Sequence, residues 1–240
     1  MVGVLSAARS SPSVLHDAAP RPGATIPTMN RQRRFRHFRS VTVFGWSESH
    51  PGDAVYEAAR ETACLLARHG LTVVSGGFGG EMEAAARGAK EGGGKTIGVT
   101  FYPALATKFE AGKGASSYLD QEIKTKTYLE RTLKLIALGD AFICFNGGTG
   151  TISEWGMAWG LARIYYGRHK PLVMFGDFWN DVVDVIERTM HLRPEEEKVY
   201  RIVASSSGAL DALREFDRKA KGAHPHYAFL MPERDFVLRH

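Results

Sequence analysis

Cysteine is scarce: Cys64 and Cys144 are the only two in 240 residues. Each sits in an apolar segment with no cluster of other ligands beside it. Buried, reduced thiols are expected, and neither a disulfide framework nor a zinc site is. The only tight histidine pair, His224-Pro225-His226, lies near the C-terminal end and reads as solvated residues, so no metal site is expected. No apolar run reaches about 18 residues, which argues against a transmembrane helix. A complete Gly-x4-Gly-Lys-Ser/Thr loop is also missing, so an ATP motor is a poor reading. Acidic residues are scarce in one place: residues 1–39 hold seven arginines and one acid, Asp17. That local +6 exceeds the net +5 of the whole chain. The remainder is therefore close to neutral, and a basic footprint for nucleic acid over the whole domain is absent.

What is present suits one α/β domain with a tail at each end. Hydrophobic residues make up 44% and charged residues 24%, as in ordinary globular proteins. Residues 1–39, rich in Ser, Ala, Pro and Arg without apolar periodicity, read as a disordered basic leader. Three readings of its Arg31–Arg39 run stand side by side. A solvated tail is the simplest. An organellar transit peptide has the same Arg-rich, acid-poor composition. A nucleic-acid-binding arm rests on one short run alone. Met29 is a second candidate start. On this reading a chain beginning at Ser40 folds and binds as the full chain does. Residues 219–240 read as a C-terminal tail whose Tyr227, Phe229, Leu230 and Phe236 are candidates for packing on a neighbour.

Between these tails, residues 40–218 alternate short apolar runs with helical segments. Strands are expected at 41–44, 71–74, 96–99, 141–145, 171–175 and 201–204. Helices are expected at 53–69, 81–90, 124–138, 154–166, 178–190 and 208–216, with an irregular stretch over 101–122. Continuous apolar strands joined by helices predict a Rossmann-like α/β domain, its sheet mostly parallel and covered on both faces. Ligands in such sheets bind at the carboxyl ends of the strands. The loops after Phe44, Val74, Val99 and Phe145 are the ones to examine.

The strongest constellation is Asn146-Gly147-Gly148-Thr149-Gly150-Thr151, with Ser153 and Glu154 behind it. It follows a strand and opens a helix. Glycines allow close approach of backbone N–H groups, the helix N-terminus adds donors, and Thr149 and Thr151 add hydroxyls: a seat for phosphate. Glu154 suits either of two roles, a first-turn acid answering the helix dipole or a carboxylate aimed at a ribose. Arg131, by spacing alone, is an ordinary exposed helix arginine. A second glycine loop, Ser75-Gly76-Gly77-Phe78-Gly79-Gly80, opens the next helix. Helix–sheet packing and ligand contact explain Gly76, Gly77, Gly79 and Gly80 equally well. It follows the second strand, and the first strand ends in Gly45-Trp46-Ser47-Glu48-Ser49, so a dinucleotide fingerprint is not met. The Trp46 ring is a candidate for stacking on a base and equally for surface packing.

Gly147 to Glu154, read with Glu130-Arg131 and Asp140-Ala141-Phe142-Ile143 upstream, resembles the Pro-Gly-Gly-x-Gly-Thr-x-x-Glu signature of the LONELY GUY family. That Rossmann-like superfamily was once labelled as lysine decarboxylases. Gly76-Gly77-Phe78-Gly79-Gly80-Glu81-Met82 is similar to its second-strand loop, and the likeness covers about residues 40–215. It departs at Asn146, where the family has proline, and at Trp46-Ser47-Glu48, where Gly-Ser-Ser is usual.

The resemblance implies hydrolysis of the N-glycosidic bond of a nucleoside 5′-monophosphate to free base and ribose 5-phosphate. The base would be a purine, with an N6-modified adenine among the candidates. Arg131 and Glu154 would be the catalytic pair. Gly147, Gly148, Thr149, Gly150 and Thr151 would hold the phosphate, without a metal or redox cofactor. No residue stands out as the acid that protonates the leaving base. The resemblance also implies a homodimer, and Trp155, Trp159, Ile164 and Tyr165 offer apolar surface for one. The expected partner is a small nucleotide, not nucleic acid or membrane, and the expected location is cytoplasmic, or organellar if residues 1–39 are a transit peptide. The rival reading is a non-catalytic nucleotide sensor or carrier on the same fold.

Overall fold

The computed structural model describes residues 35–103 and 114–220. The basic run up to Arg34, the His224–His226 pair and the aromatic residues of the C-terminal tail lie outside the described residues. Among the described residues seven strands form one all-parallel sheet: β1 (Ser40–Phe44), β2 (Thr72–Ser75), β3 (Thr96–Phe101), β4 (Gln121–Thr125), β5 (Ala141–Cys144), β6 (Leu172–Phe175) and β7 (Tyr200–Val203). Their spatial order is β4-β3-β2-β1-β5-β6-β7. Six helices connect and cover them: α1 (Ala54–Arg68), α2 (Glu81–Glu91), α3 (Tyr128–Leu138), α4 (Thr149–Ile164), α5 (Phe178–Thr189) and α6 (Ser206–Lys219). This is the Rossmann-like architecture expected from the alternation of apolar runs and helices. No described helix is long and apolar enough to cross a membrane.

Successive strand residues point to opposite faces, and the core divides accordingly. Val41, Val43, Val73, Ala141, Ile143 and Val173 pack with α1, α2 and α6. Phe44, Val74, Phe142, Cys144, Leu172 and Met174 pack with residues of α3, α4 and α5. Because both faces are covered, the central strands carry apolar residues on both faces. The helices show matching stripes. In α1, Tyr56, Ala59, Ala63, Leu66 and Ala67 are buried, spaced three and four apart. Thr127 caps α3 by accepting a hydrogen bond from the Glu130 amide at 3.0 Å, and Glu130 Oε2 accepts from the Lys126 amide at 2.7 Å. That cap sets the start of α3 at Tyr128, four residues later than the apolar spacing suggested.

β4 falls in the stretch read as irregular. Among the described residues it pairs only with β3, from Ile97↔Gln121 to Phe101↔Thr125. As an edge strand it leaves one side exposed, so Gln121-Glu122-Ile123-Lys124-Thr125 carries the polar residues that guard an edge and lacks an apolar run.

Residues 35–39 do not behave as a leader. Phe35 and Phe38 are buried in the α1/α6 side of the core. The Asp217 carboxylate, on α6, accepts from the amides of Arg36, His37 and Phe38 at 2.6, 2.7 and 3.1 Å. The Arg-rich composition concealed two aromatic anchors lying among the charges. Of the tryptophans of α4, Trp155 is buried and Trp159 partly buried. Trp155 lies 5.0 Å from Trp179 and 5.1 Å from Trp159, ring to ring. Trp159 Nε1 donates to the Glu196 carbonyl at 2.9 Å. The outer side of α4 is instead the stripe Ile152, Gly156, Gly160 and Ile164, all exposed.

These contacts reverse the expectation for a chain beginning at Ser40. Removing two buried phenylalanines costs about 3–6 kcal/mol at roughly 1.5–3 kcal/mol each. A chain beginning at Arg34 should unfold in urea with the stability of the full chain, and one beginning at Ser40 should be weaker by about that amount. Equal midpoints would show that Phe35 and Phe38 contribute little.

Candidate active site

The strand order reverses direction at β1. From β1 the chain runs outward through β2, β3 and β4, then returns to lay β5 against the other side of β1. The loops leaving the carboxyl ends of β1 and β5 therefore diverge, and a crevice opens between them, as at other switch points of parallel sheets. A cavity of about 170 Å³ lies there. Gly45, Trp46 and Ser47 line it from the β1–α1 loop, Met82 from α2, and Tyr128 and Arg131 from α3. Gly148, Thr149, Gly150, Thr151 and Glu154 line it from the start of α4.

The α4 wall presents the uncapped start of a helix. Gly148 is the N-cap residue, extended and without a side-chain cap, and α4 begins at Thr149. The first intrahelical bond runs from the Ile152 amide to the Gly148 carbonyl at 3.0 Å. The amides of Thr149, Gly150 and Thr151 precede it and have no helical carbonyl to meet, and the helix dipole adds positive potential there. Thr151 Oγ1 is buried without a hydrogen-bond partner, as are Ser49 Oγ in the β1–α1 loop and Glu81 Oε1 at the start of α2. Unsatisfied polar atoms are uncommon in folded proteins, and all three belong to elements that begin at this end of the sheet.

Glu154 lies in the second turn of α4, not the first, so it is no dipole-answering acid of the opening turn. It is buried and faces the cleft. Beneath it, burial first and the charge of Glu154 second push the Cys144 thiol well above its ordinary value, which removes Cys144 as a nucleophile. Arg131 is not the exposed helix arginine that spacing suggested but is 3% exposed. Its Nε donates to the Val99 carbonyl at 2.9 Å and its Nη2 to the Gly76 carbonyl at 3.0 Å. The Phe78 ring lies 5.4 Å from the guanidinium carbon. The same side chain thus ties α3 to β3 and to the loop after β2, and it reaches the cleft.

The remaining expected residues divide. Trp46 lines the cleft with its side chain half exposed. Gly147 supports the loop from behind, close against Thr151. Gly76, Gly77, Gly79 and Gly80 stand behind that lining, and a Cβ on Gly76 would overlap the Arg131 guanidinium and Met82 Sδ. A Cβ on Gly80 would overlap the Trp46 carbonyl oxygen, and φ there is +65°. Tyr128, Met82 and Ser47 escaped the sequence reading. Tyr128 stands three residues before Arg131, on the same helix face, and its hydroxyl lies 2.7 Å from Ser153 Oγ. That spacing was the available signal.

A family model described as the SLOG cluster4 family matches residues 38–195. The chain belongs to the SLOG cluster4 family. A cytokinin riboside 5′-monophosphate phosphoribohydrolase of Mycobacterium tuberculosis is 38% identical over 136 residues, 55% of this chain and 69% of that protein. A protein of the same name from Rhodococcoides fascians is 28% identical over 203 residues, 81% of this chain and 97% of that one. Among solved structures, the molybdenum cofactor binding protein of Rippkaea orientalis superposes with a TM-score of 0.57 at 22% identity. That match covers 75% of this chain and 98% of the other, and it shows a shared fold. This member departs from the signature at Asn146, which is exposed.

The anchoring of Arg131 makes it structural whatever else it does. Hydrogen bonds to charged groups contribute about 1.5–3 kcal/mol each. Arg131→Ala should therefore lower unfolding stability by about 3–6 kcal/mol in urea titrations without any ligand. An unchanged midpoint would mean that the Val99 and Gly76 bonds contribute nothing net.

Proposed function

We propose that this SLOG cluster4 protein hydrolyses the N-glycosidic bond of a nucleoside 5′-monophosphate, releasing a free base and ribose 5-phosphate. One observation carries the reading: a helix start with unpaired amides and a buried carboxylate of the same helix share one cleft. Thr149 and Glu154 are five residues apart, roughly 7.5 Å along the axis. A 5′-phosphate and the anomeric carbon of its own ribose span a comparable length. With phosphate on the amides of residues 149–151, Glu154 faces the sugar. Cleavage develops positive charge on the ribose, and a fixed carboxylate in a water-poor site stabilises it. Arg131 completes the wall across from Glu154. The phosphoribohydrolase names of the two relatives support the same chemistry. A purine, including an N6-modified adenine, is the proposed base, and the Trp46 ring its stacking surface.

The cavity of about 170 Å³ is small beside the roughly 300–1,000 Å³ usual for ligand sites. It suits the phosphoribosyl part and leaves the base at the mouth. A second copy of the chain completes such a site. The exposed stripe Ile152, Gly156, Gly160 and Ile164 starts beside the mouth, and its glycines permit close helix approach. Ile164 is 59% exposed and Ile152 55%, apolar surface that a homodimer covers.

Incubation with a panel of nucleoside monophosphates, assayed for free base and ribose 5-phosphate, tests the reaction. Binding without cleavage of any member would transfer the lead to a nucleotide carrier or sensor. Glu154→Gln keeps the shape and removes the charge. It should lower turnover on the order of a hundredfold or more with little change in affinity, because the ground-state ribose carries no charge. Wild-type turnover in Glu154→Gln would refute its role. Gly148→Asp places a carboxylate at the anion seat and should abolish binding. Sedimentation should find dimers at micromolar concentration, and Ile152→Glu combined with Ile164→Glu should return monomers. A monomeric wild type would refute the assembly.

A further inference from the structure

Glu81 is a carboxylate in an unusual place. It is the first residue of α2 and is fully buried. It holds the backbone of Trp46 at both ends. Its amide donates to the Trp46 carbonyl at 2.9 Å, and its Oε2 accepts from the Trp46 amide at 2.6 Å. Gly45 and Gly80 allow this approach, since a Cβ on Gly45 would overlap Glu81 Oε2 and one on Gly80 the Trp46 carbonyl. Glu81 Oε1 is buried with no hydrogen-bond partner. The segment so held, Gly45-Trp46-Ser47, is the β1 wall of the cleft.

We propose that Glu81 is a positioning residue of the cleft: its side chain clamps the Trp46 backbone, and the proton it carries sets how the site's affinity for a nucleotide anion varies with pH. The proposal rests on the reading of this cleft as a nucleotide site. Burial raises the Glu81 carboxyl to about 7, and the Trp46 amide acts against that shift. The charged groups on the elements around it include Glu48 on the β1–α1 loop, exposed; Glu83 on α2, which accepts from Tyr56; Arg87, Lys90 and Glu91 at the far end of α2, of which Arg87 and Glu91 pair with each other and Lys90 with Asp120; and Arg131 on α3, bonded to the Gly76 carbonyl. The sign follows. In the unfolded chain Glu81 ionises near 4.5, and in the fold near 7. Between these values only the unfolded chain has released the proton, so stability falls as pH rises through that window and is level above it. A nucleotide phosphate meets a neutral Glu81 below neutrality and a negative one above it, so ionisation of Glu81 weakens binding.

The test compares wild type, Glu81→Gln and Glu81→Leu in thermal unfolding and in calorimetric binding of AMP, from pH 5 to pH 8.5. Gln is neutral throughout and keeps an acceptor for the Trp46 amide; Leu has none. Wild type should melt like Glu81→Gln near pH 5 and increasingly below it toward pH 8. Its affinity for AMP, measured against Glu81→Gln so that titration of the phosphate itself cancels, should fall on the order of tenfold over that range. That is the effect of one charge acting over about 10 Å at an effective dielectric near 20. Glu81→Leu should bind more weakly than Glu81→Gln at every pH, with a larger effect on KM than on kcat. Parallel pH curves for wild type and Glu81→Gln, or equal binding by Gln and Leu, would overturn the proposal. If wild type binds no AMP, the nucleotide reading fails. The melting comparison still decides whether Glu81 holds its proton to neutrality, and curves that stay together would overturn this proposal as well.

Discussion

Every feature of the cleft depends on where the sheet reverses. β1 lies between β2 and β5, so the β1–α1 loop bends toward one side and the β5–α4 loop toward the other. The helix start at Thr149 opens into the gap between them, where its amides have no carbonyl partners within α4. Glu154 and Arg131 are brought to the gap by different means. Glu154 is carried on α4 itself, while Arg131 reaches from α3 and is held by carbonyls at Val99 and Gly76. A change in strand order would scatter these groups without altering a single local motif.

The glycines of the two loops answer different demands. Gly148 has open space where a Cβ would stand, so its lack of a side chain keeps the approach to the helix amides clear. Gly45 and Gly80 have no such space. They let the β1–α1 loop and the start of α2 meet at backbone distance, and Glu81 then bonds to both backbone groups of Trp46. One set leaves open space in front of the helix start, and the other lets the protein close on itself behind the wall. The fully buried carboxyl of Glu81 is where this second set departs most from ordinary packing, because a buried acid without a cation beside it is costly to ionise.

Much of this was legible in the residues alone. Short apolar runs located six of the strands, and the Gly147–Glu154 pattern located the loop and helix start that line the cleft. β4 was hidden because an edge strand has little need of apolar residues. Phe35 and Phe38 were hidden among arginines, whose composition dominated the reading of the segment. Arg131 looked exposed because helix spacing says nothing about the carbonyls waiting at Val99 and Gly76. The glycines at 76–80 could not be assigned either way, since close packing and ligand approach need the same missing side chain. Glu81 carried no signal of its own, because its significance lies in the Trp46 backbone 35 residues earlier.

The central claim is that phosphate and ribose occupy one helix start together, with Glu154 facing the sugar. A crystal structure of Glu154→Gln with AMP tests it directly. The account predicts the phosphate on the amides of Thr149, Gly150 and Thr151, the anomeric carbon beside residue 154, and the base at the mouth near Trp46. A phosphate bound elsewhere, or a ribose turned away from residue 154, would contradict it.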